Sequence, residues 1–180
     1  GDIQNLNEFK NYVEEVKPDI VFHLAAQPLV LDSYLHPLKT WSTNLIGTLN
    51  LLESLKSSES KCSVVLVTTD KVYKNNEWIY GYRENDILGG HDPYSASKAA
   101  CEIAISSWRS SFCGKKENKI SNLFIGTARA GNVIGGGDFA LNRLIPDCMI
   151  SLNKKQPINI RHPKSTRPWQ HVLEPLFGYL

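Results

Sequence analysis

The sequence has few cysteines, and none of them is spaced to form a site. Cys62, Cys101, Cys113 and Cys148 stand far apart and include no C-x-x-C pair. This pattern indicates neither a disulfide framework nor a zinc site, and the five histidines include no H-x-x-x-H pair that would supply metal ligands. We therefore expect reduced, mostly buried thiols, no bound metal and a cytoplasmic location.

An excess of charge of one sign and long hydrophobic runs are also missing. With 20 Lys and Arg against 18 Asp and Glu, the net charge is +2, which provides no dense basic surface for nucleic acid. Apolar runs such as Val64–Val67 fall far short of the roughly 20 residues that a membrane span requires. We therefore expect neither a nucleic-acid partner nor a membrane. The hydrophobic fraction of 42% in 180 residues fits one globular domain or most of one.

Apolar residues recur with a helical period in some segments and form short continuous runs in others. Helical spacing predicts helices from a cap at Asn5 or Asn7 to Val16, over 36–56, over 93–112, over 141–153 and from about Val172. Short apolar runs predict strands at 19–25, 63–69, 122–128 and 158–161. Strands and helices that alternate in this way predict a doubly wound α/β fold, with a parallel sheet covered by helices on both faces.

Ligands of such folds bind beyond the carboxyl ends of the strands, which directs attention to three positions in this chain. These positions follow Ala25, Thr69 and Ala128. The polar stretch 71–92, which comes after Thr69, has no clear periodicity, and a loop of this length in a compact domain is usually functional or mobile. We therefore expect the functional site at this edge of the sheet.

Small and polar residues occupy two of these strand ends. The first strand runs into His23-Leu24-Ala25-Ala26-Gln27, where small side chains would let a ligand approach the backbone. Close packing of the next helix would require small side chains equally. The second strand runs into Thr68-Thr69-Asp70-Lys71, which brings a hydroxyl, a carboxylate and an amine together. Taken alone, this second group is also compatible with an ordinary polar turn.

Tyr94 and Lys98 stand four residues apart in the helix predicted over 93–112, so they share one helix face. An ammonium beside a phenol favours the phenolate and lowers the tyrosine pKa, which would make Tyr94 a base near neutral pH. A lone Y-x-x-x-K pattern arises often by chance. It carries more weight here because it follows Thr69 at a strand end, within an alternating β/α pattern.

Together, Thr69, Tyr94 and Lys98 resemble the catalytic set of the short-chain dehydrogenase/reductase family, which implies a Rossmann-type sheet and an NAD cofactor. Further matches resemble its extended branch, which acts on sugar nucleotides: Gly1-Asp2-Ile3, His23–Ala26, Thr43-Asn44, Gly47-Thr48 and Asn50–Glu53. The resemblance implies that NAD contacts Asp2, Ile3, Leu24, Ala25, Ala26, Gln27, Asn44, Thr69, Tyr94 and Lys98.

One difference from the motif of most sugar-nucleotide dehydratases indicates which members of the family this chain resembles. Sugar-nucleotide 4,6-dehydratases carry Thr-Asp-Glu at the second strand end, whereas this chain has Thr69-Asp70-Lys71. This departure, together with segments 23–30, 81–86, 130–138 and 166–172, resembles the dehydratases that act on CDP-glucose. The resemblance implies that Tyr94, helped by Lys98 and Thr69, takes the proton of the sugar 4-hydroxyl while C4 gives its hydride to NAD. It also implies that Asp70 is the acid of a water elimination and that Lys71 replaces the usual glutamate as its base. The alternative is that Lys71 only binds the substrate.

The same resemblance implies substrate contacts beyond the third strand. Arg167, in an R-P-W motif, is expected at the substrate diphosphate, for which a bidentate guanidinium is suited. Asn132 and Arg143 are expected to contact the sugar nucleotide, and Arg129 to be structural. We also expect a homodimer through helices 36–56 and 93–112, whose outer faces carry Leu and Ile residues.

The family's glycine-rich G-x-x-G-x-x-G turn does not precede the first predicted strand, and the only methionine is Met149. We therefore expect an internal fragment, in which 1–128 is part of an NAD-binding domain. Residues 129–180 would then begin a substrate-binding region interleaved with the sheet. A chain without this phosphate cradle is expected to bind NAD weakly and to be inactive by itself.

Two other functions are compatible with the sequence. An epimerase or decarboxylase of the extended branch, or a dehydratase of a dTDP- or GDP-sugar, would share Tyr94 and Lys98. Epimerases and decarboxylases do not need an acid–base pair at the strand end, so Asp70-Lys71 favours a dehydratase. A non-catalytic Rossmann binding module is the other alternative, and the intact Thr69, Tyr94 and Lys98 set argues against it. The preference for CDP over dTDP rests on the resemblance alone.

Overall fold

The computed structural model describes residues 1–56, 60–114, 122–140 and 142–180. Internal contacts divide the chain into two units, Gly1–Arg129 and Ala130–Leu180. No helix in the described ranges combines the length and the apolar character that crossing a membrane requires.

The first unit contains a three-stranded parallel sheet. Its strands are β1 (Ile20–His23), β2 (Cys62–Val67) and β3 (Leu123–Ala128). Strand β2 lies between the other two, with Ile20 opposite Ser63 and Cys62 opposite Leu123. Because all three strands run in the same direction, their carboxyl ends meet at one edge of the sheet, as the sequence predicts.

The helices of this unit are α1 (Leu6–Val16), α2 (Val30–Leu35), α3 (Pro37–Trp41), α4 (Gly47–Lys56) and α5 (Pro93–Phe112). A π-helical turn at Ser42–Ile46 joins α3 to α4, so the helix predicted over 36–56 contains a wide turn in its middle. Helix α5 has the predicted bounds because the Asp92 side chain accepts a hydrogen bond from the Ser95 N–H and Pro93 occupies the first turn. The sequence pattern did not predict α2.

The core of the first unit lies between the sheet and helices α1, α4 and α5. Its buried members are Val13, Leu51, Leu52, Leu55, Cys62, Val64, Leu66, Cys101, Ile105, Leu123 and Ile125. Alternate residues of β2 face this core, and fully burying a side chain such as Leu66 contributes about 2 kcal/mol. The four cysteines are in the reduced thiol form; Cys62 and Cys101 are buried, and Cys113 and Cys148 are half-buried.

The loop between β2 and α5 has little regular structure. It begins with a 3₁₀ turn at Asp70–Val72, and an antiparallel bridge joins Tyr73 to Leu88 near its two ends. It then passes close to the first turn of α5, where a β-carbon on Gly90 would lie 2.4 Å from the Ala96 nitrogen. Only glycine fits such a close approach of two backbone segments.

The second unit contains two short strands and two helices: β4 (Asn132–Ile134), α6 (Leu144–Asn153), β5 (Trp169–His171) and α7 (Leu173–Tyr179). Strands β4 and β5 pair in parallel as a separate sheet. The strand predicted at 158–161 is wrong, because these residues form no strand and leave Ile158 39% and Ile160 50% exposed. Residue 141, where helix α6 was predicted to begin, lies outside the described residues.

Candidate active site

Tyr94 and Lys98 lie in the first turns of α5, and both are buried, at 9% and 5% exposure. The Tyr94 N–H stands too near the helix start to have a helical acceptor, and it donates to Ser33 Oγ of α2 at 3.2 Å. The Lys98 ammonium donates to the Val67 carbonyl at the end of β2, at 3.1 Å. Contacts from α2 and β2 therefore fix the face of α5 that carries this pair.

Burial shapes the electrostatics of Lys98. Desolvation lowers the pKa of Lys98 below its ordinary value, and the neighbouring Cys101 and Glu102 side chains only partly oppose this effect. An ammonium withdrawn from water gains more from a nearby anion than a solvated one does. Lys98 is thus suited to stabilise a phenolate that forms on the same helix face.

Thr69, Asp70 and Lys71 form a connected group directly after β2. The Thr69 hydroxyl is buried and donates to Asp70 Oδ1 at 3.0 Å, and the Lys71 ammonium lies 3.3 Å from the same oxygen. Both charged side chains stay partly open to solvent, Lys71 at 33% and Asp70 at 28%. The 3₁₀ turn that carries them packs against α5, so the Asp70–Lys71 ion pair and the Tyr94–Lys98 pair occupy neighbouring elements.

Asn44 connects the segment after β1 to helix α5. It is 1% exposed and lies within the π-helical turn, a feature that is frequent at functional sites. Its Oδ1 accepts from the Gln27 N–H at 2.8 Å, and its Nδ2 donates to Ser97 Oγ at 2.9 Å. The Ser97 hydroxyl in turn donates to the Tyr94 carbonyl at 2.8 Å. Two predicted cofactor residues, Gln27 and Asn44, are thus held to each other and to α5.

An apolar cleft of about 360 Å³ runs along β1, a size typical of ligand sites. Three predicted cofactor residues, Ile3, Leu24 and Ala25, line it. Ala26 is half-buried beside them. Asp2 is exposed and accepts a hydrogen bond from the Gln4 N–H at 3.0 Å, so its carboxylate is not in the core.

His23 is a buried polar group that the sequence analysis did not single out as a separate feature. Its Nε2 lies 3.1 Å from Thr48 Oγ1, and the Thr48 hydroxyl donates to the Asn44 carbonyl at 2.6 Å. Because that hydroxyl hydrogen is already used, the imidazole donates through Nε2. Burial and the charge of Lys98 lower the pKa of His23 to about 4, so the folded protein holds it neutral.

We expect His23 to make the free energy of unfolding of the intact protein depend on pH. By the intact protein we mean this chain together with any sequence that flanks it. As pH falls below 6.5, the unfolded chain protonates His23, whereas the folded protein does so only near pH 4. The free energy of unfolding is therefore expected to fall by about 3 kcal/mol across that window. Urea unfolding at several pH values measures this change.

The matched variants for this prediction are His23→Gln and His91→Gln, since His91 is exposed. We expect His23→Gln to remove most of the pH dependence and His91→Gln to retain it. An unchanged slope in His23→Gln would show that another group causes the acid sensitivity.

Arg129 and Glu102 form a buried ion pair that the sequence analysis anticipated only as a structural role for Arg129. Guanidinium Nε and Nη2 each lie 2.9 Å from a Glu102 carboxylate oxygen. Burial alone would raise the pKa of Glu102, but hydrogen bonds from Arg129 and Thr68 hold it below its ordinary value. The sequence signal for Glu102 is its position one helical turn after Lys98.

The three predicted substrate residues of the second unit differ in their burial and in their polar partners. Asn132, on β4, has a buried side-chain oxygen without a hydrogen-bond partner in the described part of the chain. Arg143 pairs with Asp138 at 3.4 Å. Arg167 is exposed, and its Nη1 donates to the neighbouring Thr166 carbonyl at 3.0 Å.

A second cleft, of about 390 Å³, lies in the second unit and was not predicted from the sequence; its lining includes Asp147, Asn159 and Arg161. Arg161 lies 3.8 Å from Asp147 across this cleft. Among the residues that the structure describes, no group of three or more His, Cys, Asp or Glu side chains is arranged to hold a metal ion.

Known proteins resemble this chain in sequence and in fold. The family model described as GDP-mannose 4,6 dehydratase matches residues 1–176. A CDP-glucose 4,6-dehydratase of Salmonella typhimurium is 51% identical over 180 residues, which are 100% of this chain and 50% of that protein. Among solved structures, the UDP-glucose 4-epimerase of Thermotoga maritima with UDP-glucose has a TM-score of 0.86 at 21% identity, covering 99% of this chain and 56% of the other.

A second solved structure is a dTDP-glucose 4,6-dehydratase from Streptomyces venezuelae with NAD bound. It has a TM-score of 0.84 at 23% identity, over 99% of this chain and 52% of that one. Both structures confirm the predicted α/β fold of Rossmann type. The chain spans about half the length of these relatives. Since the family model matches nearly the whole chain, the protein belongs to the GDP-mannose 4,6-dehydratase family.

Proposed function

We propose that the intact protein is an NAD-dependent sugar-nucleotide 4,6-dehydratase that converts CDP-glucose to a 4-keto-6-deoxy sugar nucleotide. The Asp70–Lys71 ion pair at the end of β2, beside the helix that carries Tyr94 and Lys98, is the observation that carries this proposal. Oxidation at C4 needs only a base and a hydride acceptor, whereas elimination needs an additional acid and base. The 51% identity to a CDP-glucose 4,6-dehydratase supports the choice of substrate.

The residues fit a dinucleotide cofactor. The apolar cleft along β1 offers space of ligand size, and Ile3, Leu24 and Ala25 would hold the cofactor there. Gln27 and Asn44, fixed to each other, would border it next to α5. When bound, NAD supplies the hydride acceptor for C4 and the hydride donor for C6.

In the oxidation step, Tyr94 removes the proton of the sugar 4-hydroxyl as hydride leaves C4. Lys98 stabilises the phenolate form, since its own charge is poorly solvated at 5% exposure. The new C4 ketone makes the hydrogen on C5 acidic. Because C4 has lost a hydride and its hydroxyl has lost a proton, the ketone is neutral when the elimination begins.

In the elimination step, the ion pair must first pass one proton from Lys71 to Asp70, which are 3.3 Å apart. Neutral Lys71 then takes the C5 proton, and the electrons of that bond form the C5–C6 double bond. Protonated Asp70 gives its proton to the 6-hydroxyl, which leaves as water. The two side chains return to an ion pair, so the net charge of the pair is the same before and after.

Completion of the reaction moves hydride to C6 and returns the proton on Lys71 to C5. Over these steps the Asp70–Lys71 pair takes one proton from C5 but gives one to the departing water and one back to C5, so it ends one proton short. The proton that Tyr94 removed from the 4-hydroxyl replaces the missing one, and each turnover therefore requires its transfer from Tyr94 to Asp70. The Thr69 hydroxyl, bonded to Asp70 at 3.0 Å, is the group that we assign to this transfer.

Substrate binding is assigned to the second unit. The exposed Arg167 would bind the diphosphate, and Asn132, whose side-chain oxygen lacks a partner in the described part of the chain, would contact the sugar nucleotide. Arg143 would also contact the substrate, once its guanidinium has moved away from the Asp138 carboxylate. In this proposal 1–128 belongs to the cofactor domain and 129–180 begins the substrate region.

The proposal includes a homodimer through the helices at 37–56 and 93–112. Helices α3 and α5 pack together, and their outer surfaces carry exposed apolar side chains: Leu38 at 84%, Ile103 at 61% and Trp41 at 36%. A second copy related by twofold symmetry would cover the same surface on both chains.

We expect Leu38→Glu to weaken dimerisation of the intact protein by at least about 100-fold, because two buried leucines would be lost and two charges would enter the interface. Analytical ultracentrifugation over a dilution series measures this change. Ile79→Glu is the matched control, since Ile79 is 93% exposed in the loop and outside the helices. Equal dimer affinity in both variants would contradict this interface.

The reaction itself is tested by incubating the intact protein with NAD and, separately, with CDP-glucose or dTDP-glucose. We expect the mass of CDP-glucose to fall by one water while dTDP-glucose is unchanged. Water loss from dTDP-glucose instead would correct the nucleotide. Loss from neither substrate, with NAD still bound, would favour an epimerase or a binding function.

A further inference from the structure

The buried ion pair between Arg129 and Glu102 lies beside the proposed catalytic groups without belonging to them. The Glu102 side chain is 4% exposed and that of Arg129 is 15% exposed. Two charges withdrawn from water are costly unless their geometry is good, and here two parallel N–H···O bonds of 2.9 Å satisfy both carboxylate oxygens. Such a pair resists displacement and can fix the segments that meet at it.

Glu102 joins the two segments that carry the catalytic side chains. It lies one turn after Lys98 on α5, on the same face. Its carboxylate also accepts a short hydrogen bond from the hydroxyl of Thr68, which directly precedes Thr69. The carboxylate therefore ties the catalytic helix to the end of β2.

Arg129 directs its other contacts to the loop that follows Lys71. Its guanidinium carbon lies 4.9 Å from the centre of the Tyr73 ring, and its Nη1 donates to the Glu84 carbonyl at 3.0 Å. The Tyr73 ring stacks on Tyr82 at 5.0 Å, with 12° between the ring planes. One side chain thus holds both the start of the loop and its later part.

We propose that Arg129 is a positioning residue for the elimination step. By holding Tyr73, two residues beyond Lys71, it fixes the Asp70–Lys71 pair relative to α5. The inference rests on the proposed function, because only an elimination uses this pair. Tyr94 and Lys98 are anchored elsewhere, through Ser33 and Val67, so the oxidation step depends less on Arg129.

Two variants of the intact protein test this role. The double variant Glu102→Met/Arg129→Met removes both partners of the ion pair, so neither is left as an unpaired buried charge. Tyr73→Leu removes the ring beneath the guanidinium and retains the ion pair. In single turnovers with NAD and CDP-glucose, we expect the rate of water loss relative to C4 oxidation to fall by about 10- to 100-fold in both variants, as small displacements of catalytic groups cause.

Ile105→Ala is the control, because Ile105 is buried in the core on the same helix and makes no part of this contact set. It destabilises the protein, yet the ratio of water loss to oxidation is expected to stay the same. If oxidation and water loss fall in parallel in the ion-pair variant, as they would after a general loss of stability, Arg129 has no positioning role.

A second measurement does not depend on turnover. The amides of Lys74 and Gly89 donate across the loop to Ile87 and Val72, at 2.8 and 2.7 Å. We expect their hydrogen exchange to become about tenfold faster in both test variants and not in Ile105→Ala. Unchanged exchange would overturn the inference. If the unaltered protein oxidises C4 but releases no water, the proposed function fails, and the exchange rates alone decide whether Arg129 holds the loop.

Discussion

Tyr94→Phe is expected to lower the rate of C4 oxidation by about 10³-fold, within the range that general acid–base catalysis contributes. The variant keeps the ring, which is 9% exposed, and removes only the hydroxyl that accepts the substrate proton. Most of the residues assigned to NAD, among them Ile3, Leu24 and Ala25 of the cleft along β1, are unchanged in this variant, so NAD affinity is expected to fall far less than the oxidation rate. The rate of reduced-cofactor formation in a single turnover, together with calorimetric NAD binding, measures both quantities.

Tyr80→Phe is the matched control for this prediction. Tyr80 is 72% exposed in the loop, and losing its hydroxyl is expected to change neither oxidation nor NAD binding. Oxidation that persists in Tyr94→Phe at a rate near that of Tyr80→Phe would show that another group takes the proton.

Lys71→Met is expected to separate the two halves of the reaction. It removes the ammonium and keeps most of the side-chain length, so C4 oxidation continues while water loss slows by about 10²- to 10⁴-fold. Asp70 loses its charged partner and keeps the hydrogen bond from Thr69, and at 28% exposure its carboxylate is reached by water, so the fold tolerates the change. The expected result is a ketone intermediate that accumulates together with reduced cofactor, detectable by absorbance and by mass.

Lys74→Met controls for the loss of a lysine from this loop, since Lys74 is exposed three residues further on. It is expected to release water at the normal rate. Exchange of the C5 hydrogen with deuterated solvent adds a direct test of the base, because it requires proton removal at C5. Normal exchange in Lys71→Met would assign Lys71 to substrate binding alone.

Local signals explain why much of the first unit follows from the sequence. The bounds of α5 come from Asp92 and Pro93, which act within one turn of the helix start. Helix α1 likewise begins after Asn5, whose side chain accepts from the Glu8 N–H. The strands of the sheet are short, mostly apolar segments rich in β-branched and aromatic residues, a composition that can be recognised in the sequence.

Features set by distant contacts could not be predicted in this way. Strands β4 and β5 are three residues each, and their pairing joins residues far apart in sequence. The stretch at 158–161 has the composition of a strand but finds no partner. The π-helical turn depends on Asn44 bonding to Gln27 and Ser97, and no residue pattern within the turn reports those partners.

In the candidate site, too, some features follow from local sequence signals and others depend on contacts between distant residues. The strand ends and the helix face that carries Tyr94 and Lys98 followed from the alternation of elements, and the structure places them on neighbouring elements. The pairing of Glu102 with Arg129 did not follow, because it depends on how α5 and β3 pack. Whether each predicted residue contacts substrate or cofactor stays a prediction that the variants above address.

The parallel register of the sheet has a consequence for how the protein reaches its native state. Ile20 pairs with Ser63 and Cys62 with Leu123, so each strand pairing closes a long stretch of chain. Such closures are slow, whereas a helix such as α5 forms from neighbouring residues. The edge of the sheet that carries Thr69 and Arg129 exists only after both closures are complete. We therefore expect the site to be among the last parts of the first unit to form, and changes that slow strand closure to lower the yield of active protein at unchanged equilibrium stability.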